Sequence, residues 1–285
     1  MLKITEFFDR LTGTISYIVY DKNTKDAIVI DPVLNFNSNK GSYTTECFKK
    51  MLNYIKGNNL KPLFLLETHV HADHISSSKF FKLEFPNIVI GIGENIKIVQ
   101  EVFAKLFKFT NFKTDGSQFD KLIKDDEEFT AGSIKIKAIN TPGHTPACVS
   151  LLIEDKIFVG DSIFVPEAGT GRCDFPKGDA KDLFNSVTKK LYTLNEDVKV
   201  YVGHNYPKEG EQPHFQTTIK ELKEQNIHIK ENTELKEFLK FREARDKELD
   251  SPKLLFQSIQ INMNAGEFEA DENGDAFLKM PMFRG

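Results

Sequence analysis

The sequence of 285 residues contains no tryptophan and three cysteines, Cys47, Cys148 and Cys173. Three widely spaced thiols do not build a disulfide framework, and none belongs to a Cys-x-x-Cys pair of the kind that holds zinc. No apolar run reaches the roughly 18 residues a membrane helix needs, and the start MLKITEFFDR has no signal-peptide core. A cytoplasmic protein with no membrane partner is therefore expected. The formal net charge is −4 and no long basic block is present, so nucleic acid is not an expected partner. A hydrophobic fraction of 40% excludes disorder as the main state. The length leaves ample sequence for a buried core.

What is present is an alternation of strand-like and helix-like segments. Residues 16–20 and 27–31 read as strands separated by a turn. A helix is expected over 44–56, where Phe48, Met51, Leu52 and Ile55 share one face. An apolar strand at 62–68 leads into a helix at 72–83, followed by a strand at 88–92 and a helix at 94–107. Strands are expected at 129–140, 149–154, 156–159 and 198–202, with a helix over 180–194 capped by Asp179. Past Pro207 come charged helical segments at 217–226 and 233–247, a break at Ser251-Pro252, and a turn-rich tail at 271–285. The expected division is a catalytic unit over 1–206 and a helical extension over 207–285 packed on it. About 80 residues of this composition make a thin core alone.

Seven histidines are present, and three fall within six residues: His69, His71 and His74, with Asp73 among them in THVHADH. The string follows an apolar strand. In extended chain the side chains of His69 and His71 share a side, while Asp73 and His74 sit in the following turn. Imidazole and carboxylate are the ligands that zinc, iron or manganese take. His144 in TPGHTP, Asp161 in VGDS and His204 in VGHNY each end another predicted strand. His214 and His228 have no such setting and read as structural or surface residues.

The order THVHADH, TPGHTP, VGDS, VGHNY resembles the metallo-β-lactamase superfamily over roughly residues 10–206. The resemblance implies an α+β fold, a four-layer αββα sandwich with the metal site where strand-end loops converge at one edge. Two further stretches, GTGRCDF at 169–175 and SPKLLFQSIQINMNAG at 251–266, are similar to the persulfide dioxygenases of that superfamily. This implies one Fe(II) per chain held by His69, His144 and Asp161, with His71, Asp73, His74 and His204 orienting the ligands. The implied substrates are O2 and glutathione persulfide or a similar thiol persulfide, and the products are sulfite and thiol. The same residues can instead bind two Zn: His69, His71 and His144 on one ion, Asp73, His74 and His204 on the other, Asp161 bridging. That arrangement resembles glyoxalase II, a thioester hydrolase. Arg172 is a candidate for binding a substrate carboxylate, its alternative being an ion pair with Asp174. Cys173 is a candidate for contact with the substrate sulfur, its alternative a small buried loop residue. Tyr206, just past a ligand position, joins Asp73 and His74 as a candidate catalytic residue. Two positions depart from the family pattern: Cys173 stands where many relatives have Thr, and Asn205 follows His204 where Asp is frequent. A homodimer is a further expectation, since related folds often dimerise.

Overall fold

The computed structural model describes residues 1–270, 272–273 and 275–282. Three antiparallel strands open the chain: β1 (Leu2–Asp9), β2 (Thr14–Asp21) and β3 (Asp26–Ile30). A hairpin, β4 (Val33–Asn37) and β5 (Ser42–Thr44), leads into α1 (Glu46–Gly57). Next come β6 (Lys61–Glu67), β7 (Ile75–Ser76), α2 (Ser78–Glu84), β8 (Val89–Gly93), α3 (Ile96–Leu106) and β9 (Lys121–Ile123). The first sheet has the order β1-β2-β3-β6-β8-β9. The second half supplies β10 (Glu128–Ala131), β11 (Ile134–Asn140), β12 (Val149–Ile153), β13 (Lys156–Phe158), α4 (Ala180–Lys189), β14 (Lys199–Tyr201) and β15 (Gln216–Thr218). These six strands form the second sheet in chain order. Three helices close the chain: α5 (Ile219–Gln225), α6 (Leu235–Lys247) and α7 (Leu255–Asn262).

Side chains alternate across a strand, and β2 uses both faces. Ile15, Tyr17 and Val19 point into the core between the sheets, where they meet Ile136, Ala138, Leu151 and Val200. Ile18 and Tyr20 point the other way, into a layer with Phe48, Met51, Phe81, Val99 and Phe103 from α1, α2 and α3. Leu183 and Val187 of α4 and Phe238 of α6 cover the second sheet. The result is the expected αββα sandwich. Asp179 caps α4 as the sequence suggests, its carboxylate accepting from the Lys181 and Asp182 amides.

Local departures have physical causes. The helix expected at 72–83 begins only at Ser78, because Ile75 and Ser76 pair with β4 instead. The strand expected at 129–140 is a hairpin, turned at Gly132, where φ is +59°. The segment 217–226 starts as strand β15, the edge of the second sheet, before α5 begins. Strand β1 and helix α7 carry no clear periodic pattern. The tail expected at 271–285 falls in part on 271, 274 and 283–285, which lie outside the described residues. Among the described residues no helix is long and apolar enough to cross a membrane, and the three cysteines are free.

Candidate metal centre

Four strand ends deliver the metal-competent side chains to one edge of the sandwich. The THVHADH segment leaves β6, His144 lies between β11 and β12, Asp161 follows β13, and His204 follows β14. The last two approach closely because residue 203 is glycine: a Cβ there would stand 2.6 Å from Asp161 Oδ1. His69, His144 and Asp161 offer ligand atoms that all lie within 4.8 Å of one another, and His71, Asp73 and His74 do the same. Asp161 Oδ2 is 3.9 Å from His69 Nε2 and 3.7 Å from His144 Nε2.

Hydrogen bonds set the tautomer of each ring, and therefore which nitrogen is left as a lone pair. His144 Nδ1 donates to the Arg172 carbonyl at 2.7 Å, which frees Nε2. Thr68 gives its hydroxyl proton to Asp31 at 2.7 Å, so its oxygen accepts from His69 Nδ1 at 3.0 Å and again frees Nε2. His74 Nδ1 lies 3.2 Å from both the Thr14 hydroxyl and Asp73. His71 points Nε2 at Asp31 (3.0 Å) and Glu67 (3.4 Å). His69 Nε2, His71 Nδ1 and His74 Nε2 are all buried without a hydrogen-bond partner. Buried polar atoms are normally satisfied; an ion on the His69 group would satisfy the first of these, and one on the His71–Asp73–His74 group the other two. The donor set fits a metal.

His204 differs. Its Nδ1 lies 2.6 Å from Asp161 Oδ1 and its Nε2 lies 2.8 Å from Asp73 Oδ2. Burial opposes charge on this ring, but Asp161 and Asp73 outweigh it and hold the pKa well above the ordinary value. Asp161 responds in kind: burial pushes its pKa up, while His204, then His69 and His144, bring it below the usual carboxylate range. Burial, aided by His71 and His144, keeps His69 neutral with a pKa well below 6.5. For His71, burial is overcome by Asp31 and Glu67, which raise its pKa to about 10. The orientation of His204 does not depend on Asn205, whose side chain accepts from the His214 amide instead.

A cavity of about 440 Å³ opens over Asp73, His144, Asp161 and His204, with Tyr206, Arg172, His228 and Arg245 also on its wall. The exposed Tyr206 ring stacks on His204, with centroids 5.9 Å apart. Arg172 reaches the cavity, but its guanidinium is held by Asp174 (2.5 and 2.6 Å) and the Asp250 carbonyl. Cys173 is buried in the cluster that includes α4 and α6 side chains and is not on the cavity wall. Its backbone amide donates to Asp246, and burial, with Asp246 nearby, pushes its thiol pKa up. His228 is on the wall rather than away from the site; its Nδ1 accepts from the Thr170 amide at 2.9 Å. His214 pairs with Glu167 outside the centre. The sequence reading missed Thr14, Asp31, Glu67 and Asn262, all buried. Each acts through polarity that any solvated residue could share, so no local signal marks them.

The sequence profile of the metallo-beta-lactamase superfamily matches residues 10–204, the span that carries every candidate ligand. The chain belongs to the metallo-beta-lactamase superfamily. Members similar to it differ in the activity their names record. "Glyoxylase B2" of Dictyostelium discoideum is 47% identical over 98% of this chain and 97% of its own length. The human mitochondrial persulfide dioxygenase ETHE1 is 28% identical over 92% of this chain and 88% of its own. The crystal structure of ETHE1 from Myxococcus xanthus superimposes with a TM-score of 0.75 at 28% identity, covering 93% of this chain and all of that one.

Proposed function

We propose that the chain is an iron-dependent persulfide dioxygenase, oxidising glutathione persulfide or a similar thiol persulfide with O2. The observation that carries this reading is His204. Both of its ring nitrogens face carboxylates, Asp161 and Asp73, so in this arrangement the ring is turned to hydrogen-bond on both sides rather than to a second ion. That supports a single ion on the face formed by His69, His144 and Asp161. Two imidazoles and one carboxylate form the donor set of non-haem ferrous oxygenases. When bound, ferrous iron supplies the redox chemistry that joins O2 to the terminal sulfur. The balanced reaction is R–S–S⁻ + O2 + H2O giving R–SH + HSO3⁻, the third oxygen coming from water. The likeness of the whole fold to ETHE1 supports the same reading.

The remaining residues bind and orient. Arg242 is committed to Asp246 at 2.7 Å and Arg172 to Asp174. Arg245, 49% exposed by side chain, has among the described residues only Glu248, at 3.7 Å, as an ion-pair partner. It is the cation on this wall with charge to spare for a carboxylate on the thiol carrier. His228 stays neutral and presents its Nε2–H as a donor, since Nδ1 is occupied by Thr170. Tyr206 stacks on His204 at the edge of the Asp161–His204–Asp73 chain.

A second reading, a two-metal thioester hydrolase, is favoured by the unpartnered His71 Nδ1 and His74 Nε2 beside Asp73, and by the name of the Dictyostelium relative. Oxygen-electrode assays separate the two. Uptake of one O2 per sulfite formed from glutathione persulfide is expected. Rapid cleavage of S-lactoylglutathione with no O2 uptake would transfer the assignment to the hydrolase.

A further inference from the structure

The stretch 251–266 resembles a family segment, yet none of its residues lines the cavity as a ligand. Its role is visible at the end of α7. Asn262, 5% exposed, turns its side-chain amide onto the loop that carries the histidines. The Nδ2 group donates to the His71 and His74 carbonyls, each at 2.8 Å. The Oδ1 atom accepts from the Ser76 amide, also at 2.8 Å. One amide thus satisfies three backbone groups of residues 71–76, nearly two hundred positions away in sequence. Beyond Ile75 and Ser76, which pair with β4, the loop has no ladder of its own to hold it. Further tethers act on its side chains: Glu67 Oε1 accepts from Ser76 and Ser78 (2.5 and 2.6 Å), Asp31 lies 3.0 Å from His71 Nε2, and the Thr14 hydroxyl 3.2 Å from His74 Nδ1.

We propose that Asn262 is a positioning residue of the metal loop, and that metal loading and the docking of α7 are therefore coupled. The inference requires that the histidine loop binds a metal, whichever ion and reaction are correct. The chemistry is particular to asparagine at this length. Aspartate has the same shape but would point an oxygen at two carbonyl oxygens, and serine cannot span three groups. Coupling is reciprocal by thermodynamic necessity: whatever the docked helix contributes to metal affinity, the bound metal returns to the docking of the helix. Partners that orient metal ligands are typically worth 10–100-fold in affinity.

The test measures Co(II) affinity by chelator competition on metal-free, full-length protein, alongside amide hydrogen exchange over 71–76 and 255–263. Wild type is expected to bind Co(II), and binding should slow exchange in both segments. N262D and N262S should weaken Co(II) affinity by about 10–100-fold. The control is Q100A: Gln100 donates to the Met263 carbonyl at 2.9 Å, tethering the same helix end without touching the metal loop. Q100A should lower the melting temperature yet keep Co(II) affinity within about threefold of wild type. Co(II) binding by wild type that leaves exchange over 255–263 unchanged would overturn the coupling, and needs no variant to fold. Equal loss of affinity in Q100A and N262D would reduce Asn262 to a packing residue. Failure of wild type to bind Co(II) at all would remove the metal reading itself, a result distinct from the other two.

Discussion

His69 and His144 each give one ring proton to a neutral oxygen, the Thr68 hydroxyl and the Arg172 carbonyl, and keep the other nitrogen bare. His204, a few ångströms away on the same Asp161, faces a carboxylate with each nitrogen. The residue types are the same and all three rings are buried. What differs is the partner behind each ring. A neutral acceptor fixes a tautomer and leaves a metal ligand. Two carboxylates make an imidazolium that balances charge. Residue identity therefore marks where a metal centre can form, while the acceptors behind each ring are what separate the one-ion reading from the two-ion reading.

The most severe way to break this comparison is to remove the residue the two clusters share. D161A should lose stoichiometric metal and retain less than about 1% of activity, a loss of at least about 2.7 kcal/mol of transition-state stabilisation. Elemental analysis after dialysis against chelator checks it; a full equivalent of retained iron would place the third ligand elsewhere. Removing His204 tests the other side. In H204A two carboxylates lose the cation between them, which should destabilise the metal-free protein by about 3 kcal/mol in urea unfolding. Metal content should stay at one ion per chain. A fall from two ions to one would show that this ring is a ligand after all.

The cavity wall sharpens the contrast more gently. Burial, with Arg242 and then Arg245 nearby, lowers the His228 pKa to about 4. The unfolded chain takes up this proton near pH 6.5 and the folded chain only near pH 4. The unfolded state thus binds more protons between those values, and stability falls as pH drops through that window. The part due to His228 should be about 2 kcal/mol after allowance for its partial exposure. H228N, which keeps an acceptor for the Thr170 amide, should flatten that slope in urea titrations between pH 7 and 4. The smallest effect is expected at Arg245. R245A should raise KM for a carboxylate-bearing persulfide about tenfold, roughly 1.4 kcal/mol, with kcat and metal content unchanged. An equal rise for an uncharged persulfide would deny it a role in recognising the carrier's charge.

Much of the candidate centre is legible in the sequence because metal-competent side chains are His or Asp and recur where predicted strands end. His69, His71, His74, Asp73, His144, Asp161 and His204 all meet that condition and converge at one edge of the sandwich. The groups that orient them were not legible. Thr14 reaches His204 across 190 positions and Asn262 reaches His71 across 191, and neither has a local pattern to betray it. Helix α7 was missed for a related reason: Ser258 through Asn262 are all buried, so the segment lacks the polar face that periodicity detects. The helix expected from residue 72 starts late because Asp73, Ser76 and Ser77 favour caps and turns over helix interiors, and the backbone there serves Asn262 and β4. Of the two roles the sequence offers Arg172, the structure shows the ion pair with Asp174, while its backbone carbonyl holds His144.

The number of ions bound per chain tests the account most directly. Protein purified without air and without added metal should contain one iron per chain, and H204A should contain the same. Two metal ions per chain in the wild type, one of them lost in H204A, would contradict it.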